Sequence, residues 1–184
     1  MQVGLILAAG SGSRMGRPKA TLEIDGERLV DRAVSIFHEA GIKNVYVVLG
    51  AWQGFVPGAT VVVNTNWETG MGSSLVAGLE AISENLEIID VVISLVDLPG
   101  MTSEAIRKVA ESSQDIAMGE FSGKPGHPAK FARKHWQAII DSAEGDFGAR
   151  NFLKGREDVL YIDIGELATG NDIDTPADLE SFNQ

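Results

Sequence analysis

The sequence predicts an α/β fold: a single domain built on a mostly parallel sheet, with helices covering both faces. Three observations predict it. Short aliphatic segments alternate with segments of helical period along the whole chain. The aliphatic segments have the apolar density of strands buried on both faces. The first of them runs directly into a glycine-rich turn, the position at which such sheets bind ligands. A length of 184 residues with 44% apolar side chains suits one domain with an ordinary core.

Taken in order, Gln2–Ala9 is a short aliphatic strand closed by glycines. Leu29, Ala33, Ile36, Phe37 and Ala40 lie on one helical face, opposite Asp31, Arg32, Ser35, His38 and Glu39, and Gly41 ends that helix. Strands follow at Asn44–Leu49 and Thr60–Asn64, then a helix at Ser73–Ser83 and a strand at Asp90–Asp97. A helix at Ser103–Glu111 leads to a strand at Asp115–Phe121. Gly123–Pro128 reads as a loop, Ala129–Phe131 as a short strand, and Trp136–Ser142 and Gly148–Leu153 as short helices. Val159–Ile164 is a strand, and Pro176–Phe182 a closing helix with proline in its first turn. No repeat, low-complexity tract or linker divides the chain.

Composition excludes several classes. Without cysteine there is no disulfide scaffold and no thiolate ligand or nucleophile. The aliphatic run Val91–Val96, broken by Ser94, is far shorter than the roughly 20 residues of a membrane span. No basic segment precedes the apolar stretch Val3–Ala9, so a signal peptide is not expected and the expected location is cytoplasmic. A net charge of −11 argues against nucleic acid as a partner. Two islands depart from that acidity. Residues 1–22 hold Arg14, Arg17 and Lys19 and no acid, and residues 124–156 hold seven bases against three acids. The first island suits a small anion; the second reads equally as an anion site or as solvated charge.

The informative stretch is Leu7-Ala8-Ala9-Gly10-Ser11-Gly12-Ser13-Arg14-Met15-Gly16-Arg17-Pro18-Lys19. Glycines at the end of a strand let backbone N–H groups approach phosphate oxygens, while Arg14 clamps them with a fork of donors and Lys19 with a point charge. Arg17 falls between the two as a solvated bystander. The dinucleotide pattern G-x-G-x-x-G fails at Met15, and the triphosphatase loop fails at Arg17. Asp97, at the end of the aliphatic strand, should emerge at the same sheet edge. None of His38, His127 and His135 has metal-ligand spacing for zinc.

This loop resembles the L-A-x-G-x-G-x-R-M-x-x-x-P-K signature of nucleotidyltransferases, matched by Leu7, Ala8, Gly10, Gly12, Arg14, Met15, Pro18 and Lys19. Further segments resemble the molybdenum cofactor cytidylyltransferase family of MobA-like NTP transferases. They are Asn64 to Leu75 (N-x-x-W-x-x-G-M-x-S-S-L), Val96-Asp97-Leu98-Pro99, Gly126-His127-Pro128, Gly145-Asp146-Phe147-Gly148-Ala149-Arg150 and Asp172-Ile173-Asp174-Thr175-Pro176. Val96 and Leu98 depart from that family's G-D-M-P. The guanylyltransferase relatives have L-A-G-G and G-P-L-A-G where this chain has Leu7-Ala8-Ala9-Gly10 and Gly70-Met71-Gly72-Ser73-Ser74, which favours CTP over GTP.

The resemblance implies a Rossmann-like nucleotidyltransferase domain. An oxygen of a phosphate monoester, on molybdopterin or another phosphorylated small-molecule acceptor, would attack the α-phosphorus of the triphosphate and expel pyrophosphate. A phosphate monoester has a second pKa near 6, so its oxygen is already an anion at neutral pH and needs no strong base. What the protein must supply is positioning and charge neutralisation, to which Mg²⁺, or Mn²⁺ in its place, would contribute.

The catalytic candidates are Arg14, Lys19 and Asp97. Nucleotide contacts are expected from Leu7, Ala8, Ala9, Gly10 and Gly12 with Arg14 and Lys19, and by analogy from Gly72, Ser73 and Ser74. The resemblance makes Asp97 and Asp174 metal ligands; Asp174 also suits a helix N-cap, and Asp172 is a second candidate. Trp67 has two readings, a core residue and a stacking platform. His127 and Arg150 are the acceptor-binding candidates, with loop packing the other reading of His127. The rival functions are a guanylyltransferase, a sugar-nucleotide-dependent glycosyltransferase and a non-catalytic nucleotide-binding regulator.

Overall fold

The structure is a computed structural model that describes residues 1–182. In chain order it contains β1 (Gln2–Leu7), β2 (Glu23–Ile24), β3 (Glu27–Arg28), α1 (Leu29–Glu39), β4 (Val45–Leu49), β5 (Thr60–Val63), α2 (Met71–Ser83) and β6 (Asp90–Leu95). There follow α3 (Ser103–Ala110), β7 (Ile116–Phe121), β8 (Lys124–Ala132), α4 (Trp136–Ser142), α5 (Arg150–Leu153), β9 (Leu160–Asp163) and α6 (Pro176–Phe182).

Seven strands form one sheet in the order β5-β4-β1-β6-β8-β7-β9. β1 pairs in parallel with β4 and β6, β4 with β5, and β7 with β9, while β8 runs antiparallel to both its neighbours. Alternate residues of β1 serve opposite faces. Val3, Leu5 and Leu7 pack with Leu75, Leu79 and Ile82 of α2 and with Trp136 and Ile139 of α4. Ile6 packs on the other side with Leu29, Val30, Val34 and Phe37 of α1 and with Ile106 and Val109 of α3. Both faces are therefore covered, and the central strands β1, β4 and β6 are predominantly apolar for that reason. Among the described residues, no helix is long and apolar enough to cross a membrane.

Three local expectations are corrected. The stretch expected as a loop (123–128) and a short strand (129–131) is one nine-residue strand, β8. Ser122 and Gly123, with φ of 51° and 79°, make a two-residue turn, so Lys124 pairs with Phe121 at once. The glycines and prolines of this stretch suit a loop, but β6 and β7 flank it and supply backbone partners. The β2–β3 hairpin was missed, although Asp25-Gly26 is a strong turn signal. α2 begins at Met71, two residues before the expected start.

Most of the second basic island belongs to the scaffold. Arg133 donates to the carbonyls of Ser83 (2.6 Å), Asn85 (2.8 Å) and Ile88 (2.8 Å) beyond the end of α2, and its guanidinium lies 5.1 Å from the Trp136 ring centroid. Lys130 is buried and donates to the Ser112 carbonyl, Lys134 pairs with Asp115, and Arg156 with Asp158.

Arg133→Met should cost about 2 kcal/mol, since the Ser83 and Ile88 carbonyls lose this donor while that of Asn85 keeps only its bond from the Ile88 amide. At roughly 2–4 °C per kcal/mol, the Tm read by circular dichroism falls by about 4–8 °C. Arg133→Lys should restore less than half of that, because a compact ammonium lacks the planar fork that spans these carbonyls while stacking on Trp136.

Candidate active site

The sheet changes direction at β1. The chain leaves β1 through α1 towards β4 and β5, then crosses by α2 to β6 on the other side of β1. The loops after β1 and β6 diverge there and leave a crevice at the carboxyl edge of the strands. A cleft of about 490 Å³ opens at that edge. It is lined by the backbone from Leu7 to Ser13, by Lys19 and Asp97, and on its far wall by Trp67, Gly70, Met71, Ser74 and Asp146.

Gly12 turns the loop at φ +61°, and a Cβ there would collide with the Arg17 carbonyl. The Met15 amide donates to the Gly12 carbonyl at 2.8 Å. The chain then doubles back through Pro18 into a 3₁₀ turn at Lys19–Thr21, whose Ala20 is buried in the α1 face of the core. Buried Ala20 fixes the turn, and its neighbour Lys19 is aimed at the edge of β6. Arg17 is exposed and enters none of the ion pairs among the described residues.

Lys19 lies between two carboxylates from distant parts of the chain. Its Nζ is 2.6 Å from Asp97 Oδ2 and 2.5 Å from Asp174 Oδ1, and Arg14 reaches the other oxygen of Asp174 at 2.5 Å. Burial by itself would lower the Lys19 pKa, but the hydrogen bonds to Asp174 and Asp97 outweigh it and hold the ammonium above its ordinary 10.5. The Lys19 hydrogen bond holds the Asp174 carboxyl below its ordinary 3.8, with Arg14 adding to the effect.

Asp174 reaches this place because the return segment is laced to the loop after β6. The Ile173 amide donates to the Asp97 carbonyl at 3.0 Å, the Thr169 amide to the Gly100 carbonyl at 3.1 Å, and the Thr102 hydroxyl to the Leu167 carbonyl at 2.9 Å. Thr175, not Asp174, stands at the N-cap of α6, and Asp178 accepts from it. The Asp174 side chain is thereby left for Lys19 and Arg14. The spacing Thr175-x-x-Asp178 is a capping-box signal that could have been read from the sequence. The Thr175 hydrogen bonds keep the Asp178 carboxyl below its usual range.

Asp97, Asp172 and Asp174 each offer a carboxylate oxygen, and these oxygens lie within 4.8 Å of one another. Hard oxygen donors in that number fit a divalent cation such as Mg²⁺ or Mn²⁺.

The far wall differs in detail from expectation. Ser74 lines the cleft, but the Ser73 hydroxyl turns back to donate within the 66–70 turn and accepts from Asn64 Nδ2 at 2.9 Å. Gly72 packs behind the cleft against Glu144 and Gly145. Gly70 has φ +113°, and a Cβ on it would collide with the Gly145 backbone. Asp146 then accepts from the Met71 amide at 3.2 Å and caps α2, which is why that helix starts early. The segment Gly145–Arg150 contains Asp146, but its role is not legible there because its partner lies 75 residues away. Trp67 packs against the α2 face of the core, as its core reading has it, and also lines the cleft.

A second chamber of about 170 Å³ adjoins the cleft and shares Leu7, Met71 and Leu95 with it. His127 and Arg150 line it, among Ile93, Met118 and Phe147. His127 Nδ1 lies 3.3 Å from the Ile93 carbonyl, so Nδ1 carries the proton and Nε2 is left as an acceptor. Burial holds this imidazole below its usual range, against the Ile93 hydrogen bond and the charge of Asp97.

Residues 4–159 match the family model described as the MobA-like NTP transferase domain. The chain is 33% identical to nicotine blue oxidoreductase of Paenarthrobacter nicotinovorans over 94% of its own length and 91% of that protein's. It is 28% identical to the purine catabolism protein PucB of Bacillus subtilis strain 168, over 97% and 94%. The fold matches the crystal structure of Rv0371c from Mycobacterium tuberculosis H37Rv with a TM-score of 0.84 at 22% identity, covering 99% of this chain and 97% of that one. A manganese complex of Rv0371c matches with a TM-score of 0.80 at 22% identity, over 98% and 96%.

The ion-pair geometry sets a pH signature. The depressed Asp174 pKa contributes stability that is complete above 3.8 and lost as pH falls through the lowered value. The raised Lys19 pKa contributes stability that is complete below 10.5 and lost as pH rises through the raised value. The Tm difference between wild type and Lys19→Met should therefore be widest and flat between about pH 5 and 9, and should narrow progressively as pH falls below 3.8. Thermal melts across that range check it.

Proposed function

The chain belongs to the family of MobA-like NTP transferase domains, and we propose that it transfers CMP from CTP to the phosphate of a molybdopterin-type cofactor, releasing pyrophosphate. The observation that carries the reading is the convergence of Lys19, Asp97 and Asp174 beside the glycine loop. A triphosphate laid along that loop would meet backbone N–H groups first, then Lys19 and Arg14.

In this reading an anionic oxygen of the acceptor phosphate attacks the α-phosphorus. A new P–O bond forms as the bond to the bridging oxygen of the leaving pyrophosphate breaks. Lys19, charged throughout the neutral range, neutralises phosphate oxygens, and Arg14 holds them by paired donors. Asp97 and Asp174 would hold Mg²⁺ or Mn²⁺, with Asp172 as a further ligand; when bound, the ion stabilises the charge that builds on the pyrophosphate. The manganese complex of the Rv0371c neighbour supports a divalent ion.

CTP rather than GTP is supported by Leu7-Ala8-Ala9-Gly10 and by Gly70-Met71-Gly72-Ser73-Ser74. The acceptor is supported by the side chamber. Its apolar walls suit a flat ring, His127 Nε2 can accept from a ring N–H, and Arg150 brings a positive charge to an anionic arm. Such a chamber offers few partners to the hydroxyls of a sugar phosphate.

With molybdopterin as acceptor and Mg²⁺ present, pyrophosphate release should be fastest with CTP among CTP, GTP, ATP and UTP. Faster release with GTP would replace cytidine by guanosine. No release with any of the four would overturn the reading and bring forward the redox chemistry in the name of the 33%-identical relative. Asp97→Ala should keep its fold and lose at least about a hundredfold in rate; wild-type activity in that variant would remove Asp97 from the metal site.

A further inference from the structure

Asp174 is the last residue before the turn into α6, and its carboxylate must face away from that helix to meet Lys19. The side chain of Asp178 governs this turn. Its Oδ2 accepts from the Thr175 amide at 2.7 Å, the Thr175 hydroxyl at 2.8 Å and the Asp174 amide at 3.0 Å. In return, the Asp178 amide donates to the Thr175 hydroxyl at 3.4 Å. A capping box pairs the N-cap and N3 amides reciprocally and asks nothing of the residue before the N-cap. The bond to the Asp174 amide goes beyond what the helix requires, and it falls on the backbone of the residue that supplies the carboxylate.

Stabilising α6 is a weak reason for so dense a set of bonds. The helix has seven residues, none of them fully buried, and Leu179 alone among them packs against the core, so little of the core depends on it. On the other side of Asp174, the Ile173 amide is tied to the Asp97 carbonyl at 3.0 Å, and Ile173 is buried. Asp174 is thus held from both directions, by Asp97 through its predecessor and by Asp178 through its own amide.

We propose that Asp178 is a positioning residue for the divalent-cation site: by fixing the backbone of Asp174 and Thr175, it keeps the Asp174 carboxylate beside that of Asp97. The proposal rests on the reading of Asp97 and Asp174 as the metal ligands. Partners that orient a ligand in this way typically carry about 10–100-fold of metal affinity.

The test is a Mn²⁺ titration of the full chain, with the free ion followed by electron paramagnetic resonance. Asp178→Ala should weaken Mn²⁺ binding by about tenfold or more, while its Tm moves by no more than about 4 °C. Asp178→Glu should stay within twofold of wild type, because glutamate serves the same capping position. Glu180→Gly, which loosens the exposed side of α6 without touching the Asp178 bonds, should also stay within twofold. Binding by Asp178→Ala within twofold of wild type overturns the proposal. So does an equal loss in Glu180→Gly, which would make helix stability the cause. Wild-type protein that binds no Mn²⁺ overturns the metal reading itself, and Asp97→Asn, expected to bind weakly, anchors the scale.

Discussion

Two carboxylates that face each other repel unless a cation lies between them, and the arrangement of the candidate site follows from that constraint. Lys19 meets Asp97 and Asp174 across sequence separations of 78 and 155 residues. Three segments are bent to bring them together. The glycine loop folds back so that Lys19 returns to the sheet, β6 ends so that Asp97 emerges beside it, and residues 165–175 are laced across the loop after β6. At 18%, 17% and 36% side-chain exposure, the three groups are shielded enough to interact strongly and open enough to exchange partners with a charged ligand.

The wider charge pattern divides by burial. In the first basic island, Arg14 and Lys19 converge on carboxylates at the cleft while Arg17 stays in solvent. In the second, Arg133 closes the end of α2, Lys130 is buried and donates to the Ser112 carbonyl, and Lys134 and Arg156 pair with nearby aspartates. Of that island's seven lysines and arginines, Arg150 alone lines the side chamber, among the described residues. A run of positive charge in sequence is thus part of the scaffold in one half of the chain and converges on the cleft carboxylates in the other. The difference is where the partners lie: those of Arg14 and Lys19 stand at the cleft, and those of Arg133, Lys130, Lys134 and Arg156 away from it.

The cleft and the side chamber are one construction. Leu7, Met71 and Leu95 form the wall between them, and the segment 144–150 joins them physically. Its Gly145 backbone fills the space left by Gly70, its Asp146 caps α2 beside the cleft, and its Arg150 lines the chamber. Movement of this segment would alter both compartments together. That coupling suits a reaction in which two phosphorylated molecules must be aligned before either reacts.

The sequence by itself determined the α/β class, the two-faced burial of the strands, the glycine loop and the family. These depend on residue type at short spacing: aliphatic runs, helical period, and glycines that let a backbone turn. It also marked Lys19, Asp97 and Asp174 as candidates, through local patterns around each. Only the tertiary structure decided which candidates meet, because contact across 78 to 155 residues depends on strand order and on how loops are laced together. It turned Ser73 away from the cleft and Ser74 into it, brought in Asp146 from a distant segment, and made a strand of a glycine- and proline-rich stretch by flanking it with β6 and β7. It also passed the capping role from Asp174 to Thr175 and Asp178, leaving Asp174 free to face Lys19. Local propensity specifies what a residue can do; the neighbours that the fold supplies decide which of those things it does.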